Sequence, residues 1–180
     1  MHVYLMRHGQ TNYNVLGLCN DDLAEDVHLT PAGIEQSEQA AEQLKDISID
    51  LIVTSELPRT RQTAQIVNRH HGVKILQHPA INDLHTGFNG RPSVEHQQTI
   101  VQDRLRTRPP GGESLLEHKQ RVLTFIDWLK GVGQHTVLVV AHEETLRVCV
   151  AYFRGFSDEG MLSIPVGNCQ IFHFELPPNP

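Results

Sequence analysis

The sequence predicts an α/β fold, a three-layer α/β/α sandwich whose mostly parallel sheet carries helices on both faces. Three observations carry that expectation. Short runs rich in Val, Ile and Leu alternate along the chain with stretches of helical period. One of them, Val137-Leu138-Val139-Val140-Ala141, is apolar at every position, as in a strand covered on both faces. Polar clusters follow three of these runs, where the strands of such a sheet hand over to loops and helices.

Taken in order, His2-Val3-Tyr4-Leu5-Met6 is a short apolar strand. Thr30-Pro31 then has the form of an N-cap with Pro at the first helical position, and Ile34, Ala41 and Leu44 are expected on the inner face of the helix. Leu51-Ile52-Val53-Thr54 predicts a second buried strand, which passes through Ser55-Glu56-Leu57-Pro58 into a helix with Leu57, Ala64 and Val67 on one side. The segment at about 79–112 has weak periodicity, several Gly and Pro, and four arginines, and is expected to form an excursion over the sheet that covers the substrate. Ser114 with Glu117 fits a capping box, and Leu115, Val122, Ile126 and Leu129 supply the stripe behind it. After the Val137–Ala141 strand, Leu146, Cys149, Val150 and Phe153 recur at i, i+3, i+4 and i+7, and Cys169 to Phe174 alternates like a half-buried strand. The tail Pro177-Pro178-Asn179-Pro180 is expected to fray.

Length and composition narrow the function. A chain of 180 residues is an ordinary size for one domain with its own core, and 39% hydrophobic with 20% charged residues is average globular usage. A formal net charge of −6 argues against nucleic acid or an anionic membrane as partner, since phosphate backbones call for a basic surface. No apolar run approaches a membrane span, and "MHVYLMRHG" lacks the basic start and long apolar core of a signal peptide, so a cytoplasmic location is expected. Cys19, Cys149 and Cys169 form no CxxC pair, and the twelve histidines show no zinc spacing, so neither a disulfide framework nor a metal or other cofactor is expected. No motif or patterned face in the sequence specifies an oligomeric state.

"RHG" follows the first strand, "SELPRTRQT" the second and "HEET" the Val137–Ala141 strand. On a parallel sheet these clusters converge, so Arg7, His8, Arg59 and His142 gather cationic donors at one edge of an acidic protein. Phosphate suits such a pocket, because a guanidinium offers two parallel donors and an imidazole can donate or attack. Gly9, without a Cβ, is read as letting the backbone after His8 approach the ligand.

These pieces resemble the histidine phosphatase superfamily, the phosphoglycerate-mutase-like proteins. "RHGQTNYN" is similar to the family's RHGxT followed by Asn, "SELPRTRQTA" to SxLxRxxQTA, "PGGES" stands before a helix, and "VLVVAHEETLR" is similar to the strand that carries the second His. The resemblance implies that His8 is the nucleophile of a phosphohistidine mechanism needing no metal. It implies that Arg7, Arg59 and His142 hold the phosphoryl oxygens with Asn14 as a further contact. In "AINDLHTGFNG" Asp83 stands where the family places a Glu, and it is the expected general acid and then base for water. Glu143 stands where many relatives have Gly; it either favours the helix N-terminus through the dipole or faces the pocket, where it would repel a second phosphate or pair with a cationic part of a substrate.

The expected activity is hydrolysis of a small phosphorylated metabolite, because "GLCNDDLAED" lacks the Thr-Gly-Trp run of the longer mutases. The alternatives are phosphoglycerate-mutase-type transfer, or a phospholigand-binding protein without catalysis on the same fold.

Overall fold

The computed structural model describes residues 1–177, so residues 178–180 of the expected frayed tail lie outside the described residues. Its centre is a five-stranded sheet of β1 (His2–Arg7), β2 (Leu51–Thr54), β3 (Lys74–Gln77), β4 (Thr136–Ala141) and β5 (Ile171–Glu175), in the order β3-β2-β4-β1-β5. β1, β2, β3 and β4 run parallel, and β5 pairs antiparallel along the outer side of β1.

Helices α2 (Pro31–Leu44) and α3 (Pro58–Val67) cover one face, where Met6, Ile52, Leu138 and Val140 meet Ala41, Leu44, Ala64 and Val67. On the other face α5 (Leu115–Lys130) and α6 (Glu143–Arg154) bring Val122, Phe125, Leu129, Leu146 and Val150 onto Val3, Leu5, Val53 and Val139. Alternate residues of one strand thus serve opposite cores, which is why β4 is buried at all six positions. Shorter helices α1 (Asn12–Leu16), α4 (Ser93–Ile100) and α7 (Asp158–Met161) lie in the connections. Among the described residues no helix is long and apolar enough to cross a membrane.

Three sequence expectations are corrected. The inner stripe of α2 is Gly33, Ser37, Ala40, Ala41 and Leu44, and Ile34 is 42% exposed. The helix turns its small residues inward because it must approach the loop after β1 closely. A Cβ on Gly33 would stand 2.0 Å from the Gln10 carbonyl oxygen, and one on Gly9 would stand 2.4 Å from that of Gly33. The last strand begins at Ile171, not at Cys169; Cys169 occupies the turn before it at φ 54°, a left-handed conformation, while its N–H donates to the Arg7 carbonyl. The segment at about 79–112 is more ordered than its weak periodicity suggests, since it holds a 3-10 turn at Pro79–Ile81 as well as α4.

The Gly9–Gly33 contact fixes the loop of Arg7 and His8 to α2, so its integrity should be visible in stability. Gly33→Ala is expected to lose about 1–3 kcal/mol through overpacking, measured by urea denaturation. Gly160→Ala, whose Cβ meets nothing nearer than 3.5 Å, is the control and should be neutral or stabilising. A Gly33→Ala protein as stable as its parent would contradict the packing argument.

Candidate active site

Strand register sets the site. Arg7 ends β1 opposite Ala141 of β4, so His8 and His142, the next residues, emerge side by side at the carboxyl end of the sheet. Their rings lie 5.3 Å apart, edge to face. Thr54 of β2 pairs with Val140, which brings Ser55 to the same level, and Arg59 projects from the first turn of α3. The Pro79–Ile81 turn delivers Asp83 from above. Arg7, His8, Arg59 and Asp83 line a cavity of about 600 Å³ at this edge, and Asn14 of α1 lines it as well.

His8 is 3% exposed and both of its ring nitrogens are engaged. Nδ1 lies 2.7 Å from the carbonyl oxygen of Gly9, and Nε2 accepts from Arg59 Nε at 3.2 Å. A carbonyl can only accept and a guanidinium can only donate. The ring therefore carries its proton on Nδ1 and presents the Nε2 lone pair. Burial drives the imidazole pKa well below its ordinary 6.5, and the charge of Arg59, the neighbouring His142 and Arg7 push it the same way against the raising effect of the Gly9 bond. His142 is depressed likewise, first by burial and then by Arg59.

The cations are held by named partners. Arg59 Nη1 donates to Asn20 Oδ1 at 2.9 Å, and its Nη2 donates to the Asn20 carbonyl at 2.9 Å and to Asp83 Oδ2 at 2.8 Å. Arg7 Nη1 donates to the Val166 carbonyl at 2.7 Å and pairs with Glu143 Oε2 at 2.9 Å. His142 Nε2 lies 2.8 Å from Ser55 Oγ, which in turn accepts from the Leu57 amide and meets Thr60 Oγ1. Two buried groups are left over: Arg7 Nε and His142 Nδ1 have no hydrogen-bond partner. Unpaired buried polar atoms are costly, and an oxyanion beside the His8 imidazole would supply lone pairs to the Arg7 Nε–H and to His142 Nδ1 in the tautomer that carries its proton there. Asp83 Oδ2 stands 3.5 Å from His142 Nδ1 as well as on Arg59, so a carboxylate now occupies the space between these two side chains.

The structure thus brings together Arg7, His8, Arg59, His142 and Asp83. Asp83 reaches the cluster despite its short side chain because its loop is drawn in from behind. Arg121 of α5 donates to the carbonyls of Ala80, Asn82 and Asp83 at 3.0 to 3.1 Å, and Asn82 exchanges bonds with the Glu56 amide and carboxylate. Arg121 also pairs with Glu113 beneath the loop. Burial alone would raise the Glu113 carboxyl, but bonds from His118, Arg121 and the His85 amide outweigh it and hold the group at about 2.

Asn14 is committed in part elsewhere, since its Oδ1 accepts from the Thr11 amide in the capping box of α1. Its Nδ2 has no protein partner among the described residues. Gly9 has a different reason from the one its sequence suggests: it lies against the backbone of Gly33, and its N–H donates to Thr63 Oγ1 at 3.0 Å.

Ser55, Asn20, Arg121 and Asn168, whose Nδ2 donates to the His8 carbonyl at 3.0 Å, are assigned no role by sequence reasoning. Ser55 and Arg121 fall inside recognisable helix-entry and helix patterns; Asn20 and Asn168 lie in loops whose contacts span 39 and 160 residues, with no local signal.

Arginine donors and a neutral, oriented imidazole thus meet at the carboxyl end of a parallel sheet, a candidate anion site on an α/β fold. The chain belongs to the histidine phosphatase superfamily, branch 1, whose model matches residues 3–179. It is 30% identical over 173 residues to the adenosylcobalamin/alpha-ribazole phosphatase of Escherichia coli K12, covering 89% of this chain and 83% of that one. Over 180 residues it is 27% identical to a probable phosphoglycerate mutase GpmB of Erwinia tasmaniensis, covering 95% and 83%. The solved alpha-ribazole phosphatase of Shigella flexneri superposes with a TM-score of 0.89 at 27% identity, over 98% of this chain and 91% of that one.

The depressed pKa values of His8 and His142 have a consequence for stability. Below 6.5 the unfolded chain takes up protons on these imidazoles that the folded chain refuses, so the unfolded state binds more protons and stability falls as pH falls. Between pH 6.5 and 5 the parent should lose stability with a slope of up to about 1.4 kcal/mol per pH unit for each such histidine. Glu113 contributes only at lower pH, as its carboxyl protonates between the ordinary 4.5 and about 2. Urea midpoints at constant ionic strength test this: His8→Gln should have a shallower slope than the parent, and equal slopes would place His8 in the charged form.

Proposed function

We propose that this chain is a metal-independent phosphomonoesterase that hydrolyses a small phosphorylated metabolite through a phosphohistidine on His8. The observation that carries this reading is His8 Nε2, which holds its ring's one lone pair on Arg59 Nε, in a cluster where two buried nitrogens, Arg7 Nε and His142 Nδ1, lack partners. Its relationship to alpha-ribazole phosphatases supports hydrolysis as the reaction class.

In this account the phosphoryl group takes the space that Asp83 Oδ2 now fills between Arg59 and His142, so that Asp83 turns towards the leaving group. His8 Nε2 attacks phosphorus in line as the ester P–O bond breaks, and the guanidiniums of Arg7 and Arg59 with His142 hold the equatorial oxygens, where transition-state charge spreads. Asn14 Nδ2 supplies a further donor. The Asp83 carboxylate takes up the proton of the substrate's phosphate monoanion and passes it to the departing oxygen. Asp83 then takes a proton from water as the water oxygen attacks phosphorus and the P–N bond breaks, which returns neutral His8 and inorganic phosphate. Nδ1 keeps its proton throughout and donates it to the Gly9 carbonyl, so the imidazole needs no second base. We further propose that the segment at about 79–112, which contributes Asp83, Leu84 and His96 to the cavity wall, covers the leaving group.

The second reading is phosphoryl transfer between phosphoglycerates, favoured by the names of the GpmB relatives. The two differ in the acceptor, water or a second substrate, and product analysis separates them.

One experiment tests the mechanism. Single-turnover phosphorylation is followed in EDTA with labelled p-nitrophenyl phosphate and with a labelled alkyl phosphate. The parent should form an acid-labile phosphoenzyme on His8 with both. Asp83→Asn should slow the alkyl ester by about 10²–10⁴-fold and the aryl ester far less, because p-nitrophenolate departs without a proton. Label on another residue overturns His8 as nucleophile, binding without any label leaves a phospholigand-binding protein, and equal slowing of both esters removes Asp83 as the acid.

A further inference from the structure

Of the two arginines in the His8 cluster, Arg59 is paired with Asp83 and Arg7 with Glu143. Glu143 heads α6 immediately after His142, and its oxygens are spent on side chains: Oε2 pairs with Arg7 Nη1 at 2.9 Å and Oε1 with Arg147 Nη2. Among the described residues neither oxygen bonds a backbone N–H, so the helix N-terminus does not account for its position. Glu144 completes the arrangement, since Arg147 Nη1 pairs with Glu144 Oε1 while Glu144 Oε2 is buried without a partner. Arg147 is therefore fully compensated and has no charge to offer a ligand.

By formal charge the cavity is balanced, its four arginines facing four acidic side chains, of which Glu144 is pushed by burial towards its neutral form. A phosphoryl dianion turns this balance negative and is tolerated because Arg7, Arg59 and His142 meet its oxygens directly. A second anion close to the phosphoryl group would face Glu143, with Arg147 already paired. Arg104, exposed and without a carboxylate partner among the described residues, lines the same cavity and is the group that would pull the other way.

Resting on the phosphoryl-site reading above, we propose that Glu143 is a specificity-determining residue, which rejects esters carrying a second negative charge next to the phosphoryl group and so directs the site to monoesters of uncharged alcohols. Phosphoglycerates and bisphosphorylated compounds are then poor substrates, and the sugar or nucleoside type of alcohol is favoured.

Two substrates isolate the charge. sn-Glycerol 3-phosphate and 3-phospho-D-glycerate share a three-carbon skeleton and differ by a hydroxymethyl group against a carboxylate. The parent should favour the glycerol ester in kcat/KM by about tenfold or more, the scale of a like-charge penalty in a partly desolvated site. The preference should shrink as salt is raised. Glu143→Gln keeps the shape and removes the charge, and should cut the ratio about fivefold or more whatever happens to overall activity.

A parent without preference, or one favouring the phosphoglycerate as Arg104 would dictate, overturns the proposal. So does an unchanged ratio in Glu143→Gln. The salt dependence is read on the parent alone and survives a variant that does not fold. If the site binds without turnover, the hydrolytic reading fails, yet the same ratio is read from the dissociation constants of the two compounds.

Discussion

The hydrogen bond from His8 Nδ1 to the carbonyl of Gly9, 2.7 Å long and shielded from water, is the constraint on which the site turns. It decides which nitrogen carries the proton, and therefore which nitrogen faces Arg59. It holds only if the Gly9 backbone cannot move. The Gly9–Gly33 contact with α2 and the Gly9 N–H bond to Thr63 of α3 fix it from one side of the sheet. Asn168 and the 166–170 turn hold the backbone and guanidinium of Arg7 and the carbonyl of His8. The unusual backbone of Cys169 belongs to the same brace, since its N–H and the Gln170 carbonyl bracket Arg7.

Burial then does the electrostatic work. Water that would stabilise an imidazolium is excluded, and two arginines raise the cost further, so both histidines stay neutral in a region crowded with cationic side chains. The arginines are themselves kept in a buried edge by carboxylates, Asp83 on Arg59 and Glu143 on Arg7. An incoming oxyanion competes with these internal ligands. The carboxylate that must yield on Arg59 is the one with chemistry to perform, and the one on Arg7 remains to select among substrates.

Much of this was legible in the sequence because it follows from short-range pattern. β2 spans Leu51–Thr54 as its apolar run indicates, the Ser114–Glu117 capping box opens α5, and β4 is the fully buried strand that Val137–Ala141 predicts. Parallel pairing then carries Arg7, His8 and His142 to one edge with no further information. What escaped depends on surfaces that meet only in three dimensions. The four residues Lys74–Gln77 form an edge strand with mixed exposure and little periodicity. The apolar spacing of α2 points Ile34 inward, whereas close approach to the Gln10 carbonyl selects the glycine side. Arg121 looks like a solvated residue of an amphipathic helix until the Asp83 loop is laid across it. Glu143 is visible as a departure from the family pattern, but its two arginine partners are not.

The central claim, that the resting site holds His8 neutral with its proton on Nδ1, is tested most directly by ¹⁵N NMR of imidazole-labelled protein without ligand at pH 7. The account predicts a protonated Nδ1 and an unprotonated Nε2 for His8, with no titration near 6.5 and loss of that signal pattern in His8→Gln. A proton on Nε2, or a ring that becomes doubly protonated close to 6.5, would contradict it.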